Sequence, residues 1–312
     1  MQEQANKQIN NSIEWHQGQW EYLMGAIKQG KMSHSFVFSG QKGLGKKELA
    51  LELLKVLNGN QELKAPDLIE IKPDKGFISI EQIENLQKDL ALTPFQANFK
   101  AVLISEAERM NKEAQNRLLK TLEDPVQKTI FILLTSKKDI LLKTILSRCQ
   151  EIRFFPLSFK KMEQLFSTYK DQANFSEILF LAQGMPQLAL SFFENKALFE
   201  KQQKKLEFVK QVIGANLLKR FNLSQKLFKE RKEEGFNLSD FIQELISFLR
   251  WGLLSKKGIT QFLEGAVLFD FPLKYDVLAL KNALEKAMEL QFLTETFKIN
   301  KRLAFEALML QL

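Results

Sequence analysis

Five short runs of apolar, β-branched or aromatic residues recur along the first half of the chain: SFVFS (35–39), DLIEI (67–71), KAVLIS (100–105), TIFILLT (129–135) and EIRFF (151–155). Each has the length and composition of a strand. The stretches that follow the first four, KKELALELLKVL, ISIEQIENLQKDLAL, NKEAQNRLLKTLED and DILLKTIL, repeat their apolar positions every three or four residues and predict helices. In the third of these, Asn111 stands at the N-cap position, Ala114, Leu118, Leu119 and Leu122 share a face, and Pro125 follows the end. Strand and helix in alternation imply a parallel sheet with helices on both faces. The pattern therefore predicts an α/β domain of the nucleotide-binding type over roughly residues 1–157.

After Pro156 the period changes. Strand-like runs almost vanish, no proline occurs between Gln187 and Phe271, and stretches such as FIQELISFLRWGLL and VLALKNALEKAMELQFL carry the helical period. The second half reads as helical: a small piece over 158–203, ending near ENKALFEKQQKK, and a larger one over 204–312. Its many Phe and Leu residues read as core, because amphipathic helices bury one face.

Composition narrows the class. A chain of 312 residues, 45% apolar and 26% charged, is long enough for two or three domains. No stretch of about 18 residues is apolar and free of charge. The opening MQEQANKQIN lacks the apolar segment of a secretory signal, so a cytoplasmic location is expected. The single cysteine, Cys149, excludes an internal disulfide, and with only His16 and His34 beside it a structural zinc site has too few ligands. No metal site is expected. A net charge of +8 favours an anionic partner such as nucleic acid but is equally the charge of an ordinary basic protein.

The stretch SGQKGLGKKELA carries the first candidate chemistry. Gly40, Gly45 and Lys46 stand at the G-x-x-x-x-G-K spacing of a phosphate-binding loop, after a predicted strand and before a predicted helix. Successive backbone N–H groups and a helix N-terminus can surround an anion there; Gly40, Gly43 and Gly45 allow the path and Lys46 supplies the charge. A tight glycine turn is the plainer alternative. The motif departs at Lys47, where a magnesium-binding Ser or Thr belongs, and again at Ser105, where the strand AVLI should be followed by Asp-Glu and reads Ser-Glu. Glu106 alone is left to orient a water. Loss of both metal-positioning groups predicts a site without hydrolysis.

Four segments in order, GAIKQGKMSHSFVFSGQKGLGKKELA, FISIEQIENLQKDLALTPF, KAVLISEAERMNKEAQNRLLKTLEDP and TIFILLTSKKDILLKTILSRCQEIRFFPLS, resemble the clamp-loader branch of the AAA+ ATPases, most of all its delta-prime type. The resemblance covers most of residues 20–158; no motif of residues 205–312 matches. It implies a RecA-like AAA+ parallel-sheet domain (1–157), a small helical lid (158–203) and a helical collar that joins subunits into a ring (204–312). It further implies partners: gamma/tau-type and delta-type subunits, a sliding clamp, and primer-template DNA through the assembled complex. The part of DNA polymerase III so implied is a non-hydrolysing scaffold. An active gamma/tau-type ATPase is the alternative, and a free-standing DNA-binding protein lacks any recognisable base-reading module.

By the same resemblance, Arg148 in Ser147-Arg148-Cys149 is an arginine finger that reaches ATP held by an adjacent subunit. Thr135 and Ser136 stand at the polar sensor position, and Leu188 in GMPQLAL stands where an active member has arginine. Lys47, Ser105 and Leu188 each replace a group needed in cis, whereas Arg148, needed in trans, is intact. No cofactor is required on this reading; weak retention of ATP or ADP stays open. The four-cysteine zinc module of many relatives has no counterpart in the short interval VLNGNQELKAP. Each residue has a plainer reading as well. Arg148 could pair with Glu151, Cys149 could fill the core, His34 could be structural, Glu106 could pair locally, and the basic run Lys201 to Lys232 could be the solvated face of helices.

Overall fold

The computed structural model describes residues 12–125, 128–229, 238–257, 276–296 and 300–310. The opening MQEQANKQIN and the end of the basic run toward Lys232 lie outside them. The chain forms two compact units: Met1–Leu157 with Gln183–Leu188, and Ser158–Ala182 with Ala189–Leu312.

The first unit contains a five-stranded parallel sheet, β1 (Ser35–Ser39), β2 (Leu68–Ile71), β3 (Lys100–Ile104), β4 (Thr129–Thr135) and β5 (Gln150–Arg153), in the order β2-β3-β4-β1-β5. Alternate side chains divide between its faces, as strand geometry requires. Phe36, Phe38, Leu103 and Ile132 join one core with Leu49 and Leu53 of helix α2 (Lys46–Leu57). Val37, Val102, Phe131 and Leu133 join the other with Ile83 and Leu86 of α3 (Ile80–Leu90) and Leu118 and Leu122 of α4 (Lys112–Glu123). Burial on both faces explains why the strands read as unbroken apolar runs. Asn111 caps α4, its side chain accepting the Ala114 N–H at 2.8 Å. A further helix, α1 (Gln17–Lys28), precedes β1.

Two predicted elements differ. DILLKTIL is not one helix: a 3-10 turn, Lys138–Ile140, is followed by two extended residues and the four-residue helix α5 (Lys143–Leu146). The buried side chain of Gln115 accounts for the break, since its Oε1 accepts the Leu142 N–H at 2.8 Å and takes that donor out of any helical ladder. EIRFF pairs as strand only to Arg153; Phe154 turns into the core and Phe155 is exposed.

The second unit is helical, with α6 (Phe159–Leu165), α7 (Phe175–Ala182), most of α8 (Pro186–Glu194), α9 (Lys196–Gly214), α10 (Leu217–Lys229), α11 (Leu238–Lys256), α12 (Val277–Thr296) and α13 (Lys301–Met309). Helix α9 runs unbroken through residue 203, where the sequence pattern placed a boundary. Aromatics of the second unit pack as core: Tyr169 stacks on Phe193 with ring centroids 4.5 Å apart, and Phe241 meets Phe305 edge-on at 4.8 Å. No described helix is long and apolar enough to cross a membrane.

One buried acid ties a loop of the first unit to its sheet. Asp67 accepts the N–H groups of Phe95, Gln96 and Ala97 at 2.6, 2.8 and 2.8 Å. Burial pushes its pKa up, but these amides and nearby Lys100 outweigh it and hold the carboxyl below the usual range. A depressed folded pKa gives stability that is present above the unfolded value of about 3.9 and is lost as pH falls through the folded one. Asp67→Asn is expected to lose about 1–3 kcal/mol at pH 7, and the gap should narrow below about pH 4 in denaturant titrations. A gap independent of pH would contradict this assignment.

Candidate functional site

The carboxyl ends of β1, β3 and β4 bring the predicted loop residues together. Gly40, Gly43 and Gly45 adopt φ of 148°, 82° and 81°, values that side-chain-bearing residues rarely take. Gly40 N–H bonds Thr135 O at 3.1 Å and fastens the loop to β4. Helix α2 opens at Lys46 with Gly45 as its N-cap. Gln183–Leu188 closes the other side: Gln187 N–H bonds Gly43 O at 3.0 Å, and a Cβ on Gly43 would lie 3.3 Å from that of Leu188. Leu188 thus lies against the loop as a hydrocarbon.

Lys46 is 8% exposed and donates to the carbonyls of Gly40 and Gln41 at 2.5 and 2.6 Å. Burial lowers its pKa to about 8 against the opposing pull of Glu108 and Glu48. Lys47 follows it in the first turn of α2, with Nζ 2.9 Å from Glu70 Oε2, and Lys72 reaches the same oxygen at 3.0 Å. Together the two ammonium groups overcome burial and keep Glu70 below its ordinary range. The residues at the metal position do not fit magnesium, which takes hard oxygen ligands, because a cation stands where the hydroxyl should be and Ser105 where the carboxylate should be. Gly40, Gly43, Gly45 and Lys46 retain the backbone and charge of an anion cradle.

Glu106, in a left-handed conformation at φ 51°, pairs with Lys42 of the loop at 3.1 Å and with Arg109 at 3.4 Å. Sequence reasoning missed Glu108. Its carboxylate accepts the hydroxyl of Ser136 at 2.5 Å and the Ser136 N–H at 3.3 Å, and burial is outweighed by these bonds, so its pKa falls. Glu108 also supports the charge of Lys46. The signal lay in the sequence as a second acid two residues after Glu106, but a 3-10 turn, Ala107–Arg109, is what aims it at β4. Ser136 therefore meets the loop's charges through Glu108.

Arg148 lies elsewhere. Its carbonyl accepts the Ser35 hydroxyl at 2.8 Å, at the amino end of β1, whereas the glycine loop follows Ser39 at the carboxyl end. A five-residue strand puts these edges on the order of 15 Å apart. The side chain is 35% exposed, pairs with Glu123 at the end of α4, and donates to Thr144 O at 3.0 Å. Glu151, the partner in the plainer alternative, is instead occupied by Ser39, Lys138 and Arg153. Beside it Cys149 is buried, its thiol pushed up to about 11 by burial, as befits a core residue. His34 bonds Leu122 O at 3.1 Å, and buried His16 bonds Leu44 O, so both meet backbone. No group of three or more potential metal ligands occurs among the described residues.

The sheet order, the glycine loop at its carboxyl edge and the helices on both faces define a RecA-like AAA+ fold. Among solved structures it resembles a DNA polymerase III gamma subunit-related protein from Thermotoga maritima, with a TM-score of 0.58 at 19% identity, covering 92% of this chain and 97% of that one. Residues 15–158 match the family described as DNA polymerase III, delta subunit. The chain is 36% identical over 157 residues to the DNA polymerase III subunit delta' of Bacillus subtilis, covering 45% of this chain and 48%, about half, of that relative. It is 28% identical over 272 residues to the DNA polymerase III subunit gamma of Buchnera aphidicola, covering 73% and 74%. The similarity is to clamp-loader subunits of DNA polymerase III, the delta' and gamma types among them; the family match covers residues 15–158, and the chain spans about half the length of the delta' relative.

The loop geometry makes a testable demand. A Cβ on Gly40 would sit 2.5 Å from the backbone oxygen of Phe154, at a φ that already strains any side chain. Gly40→Ala should lower stability by about 1–3 kcal/mol in chemical denaturation. A loss under about 0.5 kcal/mol would show that the loop does not need this backbone path.

Proposed function

We propose that the chain is a non-hydrolysing, delta-prime-type subunit of the replicative clamp loader. On this reading it lends Arg148 to ATP held by a neighbouring gamma/tau-type subunit, while the assembly, with a delta-type subunit, places a sliding clamp on primed DNA in the cytoplasm. One observation supports it above the others: the loop's cations are engaged by the chain's own groups at one edge of the sheet, while a half-exposed arginine stands at the opposite edge. That arginine is out of reach of its own loop and available to another chain. A guanidinium stays charged at physiological pH and can bridge two phosphate oxygens, which suits it to stabilise a transferring γ-phosphate.

We further assign residues 158–203 to a lid and 204–312 to a collar. Exposed apolar residues support a binding role for the latter: Leu278, Met288 and Phe292 fall on one side of α12, at 63%, 47% and 61% exposure.

A second reading, an active gamma/tau-type ATPase, draws on the similarity to subunit gamma and on the retained Glu106. The two part at Arg148. In a complex reconstituted with gamma/tau-type and delta-type subunits, Arg148→Ala should assemble, change this chain's stability by no more than about 1 kcal/mol, and reduce DNA-stimulated ATP turnover and clamp loading. Arg148→Lys should recover only part, because a point charge lacks the two-pronged geometry. Wild-type loading with the Arg148→Ala subunit confirmed in the complex would return Arg148 to an ordinary surface ion pair.

A further inference from the structure

Glu123 closes helix α4. A carboxylate gains nothing from a helix C-terminus, where backbone carbonyls already concentrate negative charge. It is 49% exposed, and it is paired with the guanidinium of Arg148. The contact joins two positions 25 residues apart in sequence only because both backbones are fixed at the amino edge of the sheet. The buried Ser35 hydroxyl holds the Arg148 carbonyl at 2.8 Å, and His34 holds Leu122 O, next to Glu123, at 3.1 Å. From the other side the Thr144 carbonyl accepts from Nη1 at 3.0 Å. Two bonds on two different nitrogens define the plane of the guanidinium. They use two of its five N–H donors, leaving donors enough for an anion from another molecule.

We propose that Glu123 is a positioning residue for Arg148: with the Thr144 carbonyl it holds the guanidinium in the attitude from which it meets a phosphate of a neighbouring subunit. The inference rests on the proposed role of Arg148 in trans. An unheld arginine spreads over many rotamers, and that freedom must be given up each time it reaches a phosphate. A held one has lost it already, so the anchor acts on the rate at which charge is stabilised rather than on assembly. A half-exposed pair of this kind is weakly stabilising by itself, so its removal leaves the fold intact.

The test is a double-mutant cycle in the reconstituted complex, reading kcat and KM for ATP with clamp and primed DNA. Glu123→Gln keeps size and an acceptor oxygen but removes the charge. It should lower kcat roughly three- to ten-fold without lowering KM, by the ordering freedom returned to Arg148. Glu123→Asp, which keeps the charge on a shorter stem, should fall between Glu123→Gln and wild type. In an Arg148→Ala background Glu123→Gln should cost nothing more. A merely structural Glu123 would cost as much in that background as in wild type, and this overturns the proposal. Unchanged or raised kcat in Glu123→Gln, while Arg148→Ala is impaired, also overturns it and leaves the arginine's role standing. If Arg148→Ala itself is silent, the role in trans falls, and the positioning of Glu123 falls with it.

Discussion

A parallel sheet covered on both faces leaves polar chemistry nowhere to go but the strand ends. Phe36 and Phe38 bury one face of β1 and Val37 the other, and the same division repeats in β3 and β4. Charged side chains cannot be buried along such strands without partners. They collect at the two edges instead, the carboxyl edge with Gly40, Gly43 and Lys46, the amino edge with Arg148 and Glu123. Strand length then separates the two sets by more than any side chain can span.

At the carboxyl edge the charges answer one another. Lys42 meets Glu106, Lys47 meets Glu70, Lys46 turns to loop carbonyls, and Ser136 meets Glu108. The two ion pairs are partly exposed and worth little alone. Their common effect is to set cations beside the carboxylates that remain, and this is the reverse of what a divalent metal requires. Leu188 adds hydrocarbon against Gly43. Hydrolysis in cis asks for the opposite arrangement, oxygen ligands and charge aimed at the phosphates.

Much of this was legible in the chain. Strands buried on both faces are continuous apolar runs, so SFVFS, KAVLIS and TIFILLT declared themselves, and the Asn111 cap followed from local chemistry. What escaped depends on contacts distant in sequence. DILLKTIL has helical spacing, but Gln115, reaching from α4, captures the Leu142 N–H and breaks it. The plainer reading of Arg148 paired it with an acidic neighbour such as Glu151, and its ion pair is with the remote Glu123. Glu108 went unremarked in the sequence, because a 3-10 turn is what aims it at Ser136. Spacing reports period; it does not report which side chain arrives from another element.

The proposed function therefore rests on an asymmetry between the two edges: loop cations engaged by the chain's own groups at one, and a partly exposed arginine at the other. The most direct measurement is steady-state ATP turnover by the purified chain alone, with saturating magnesium and ATP and with primed DNA present. The account predicts no turnover above background. Turnover at about 1 s⁻¹ or faster, abolished by Lys46→Ala, would contradict it.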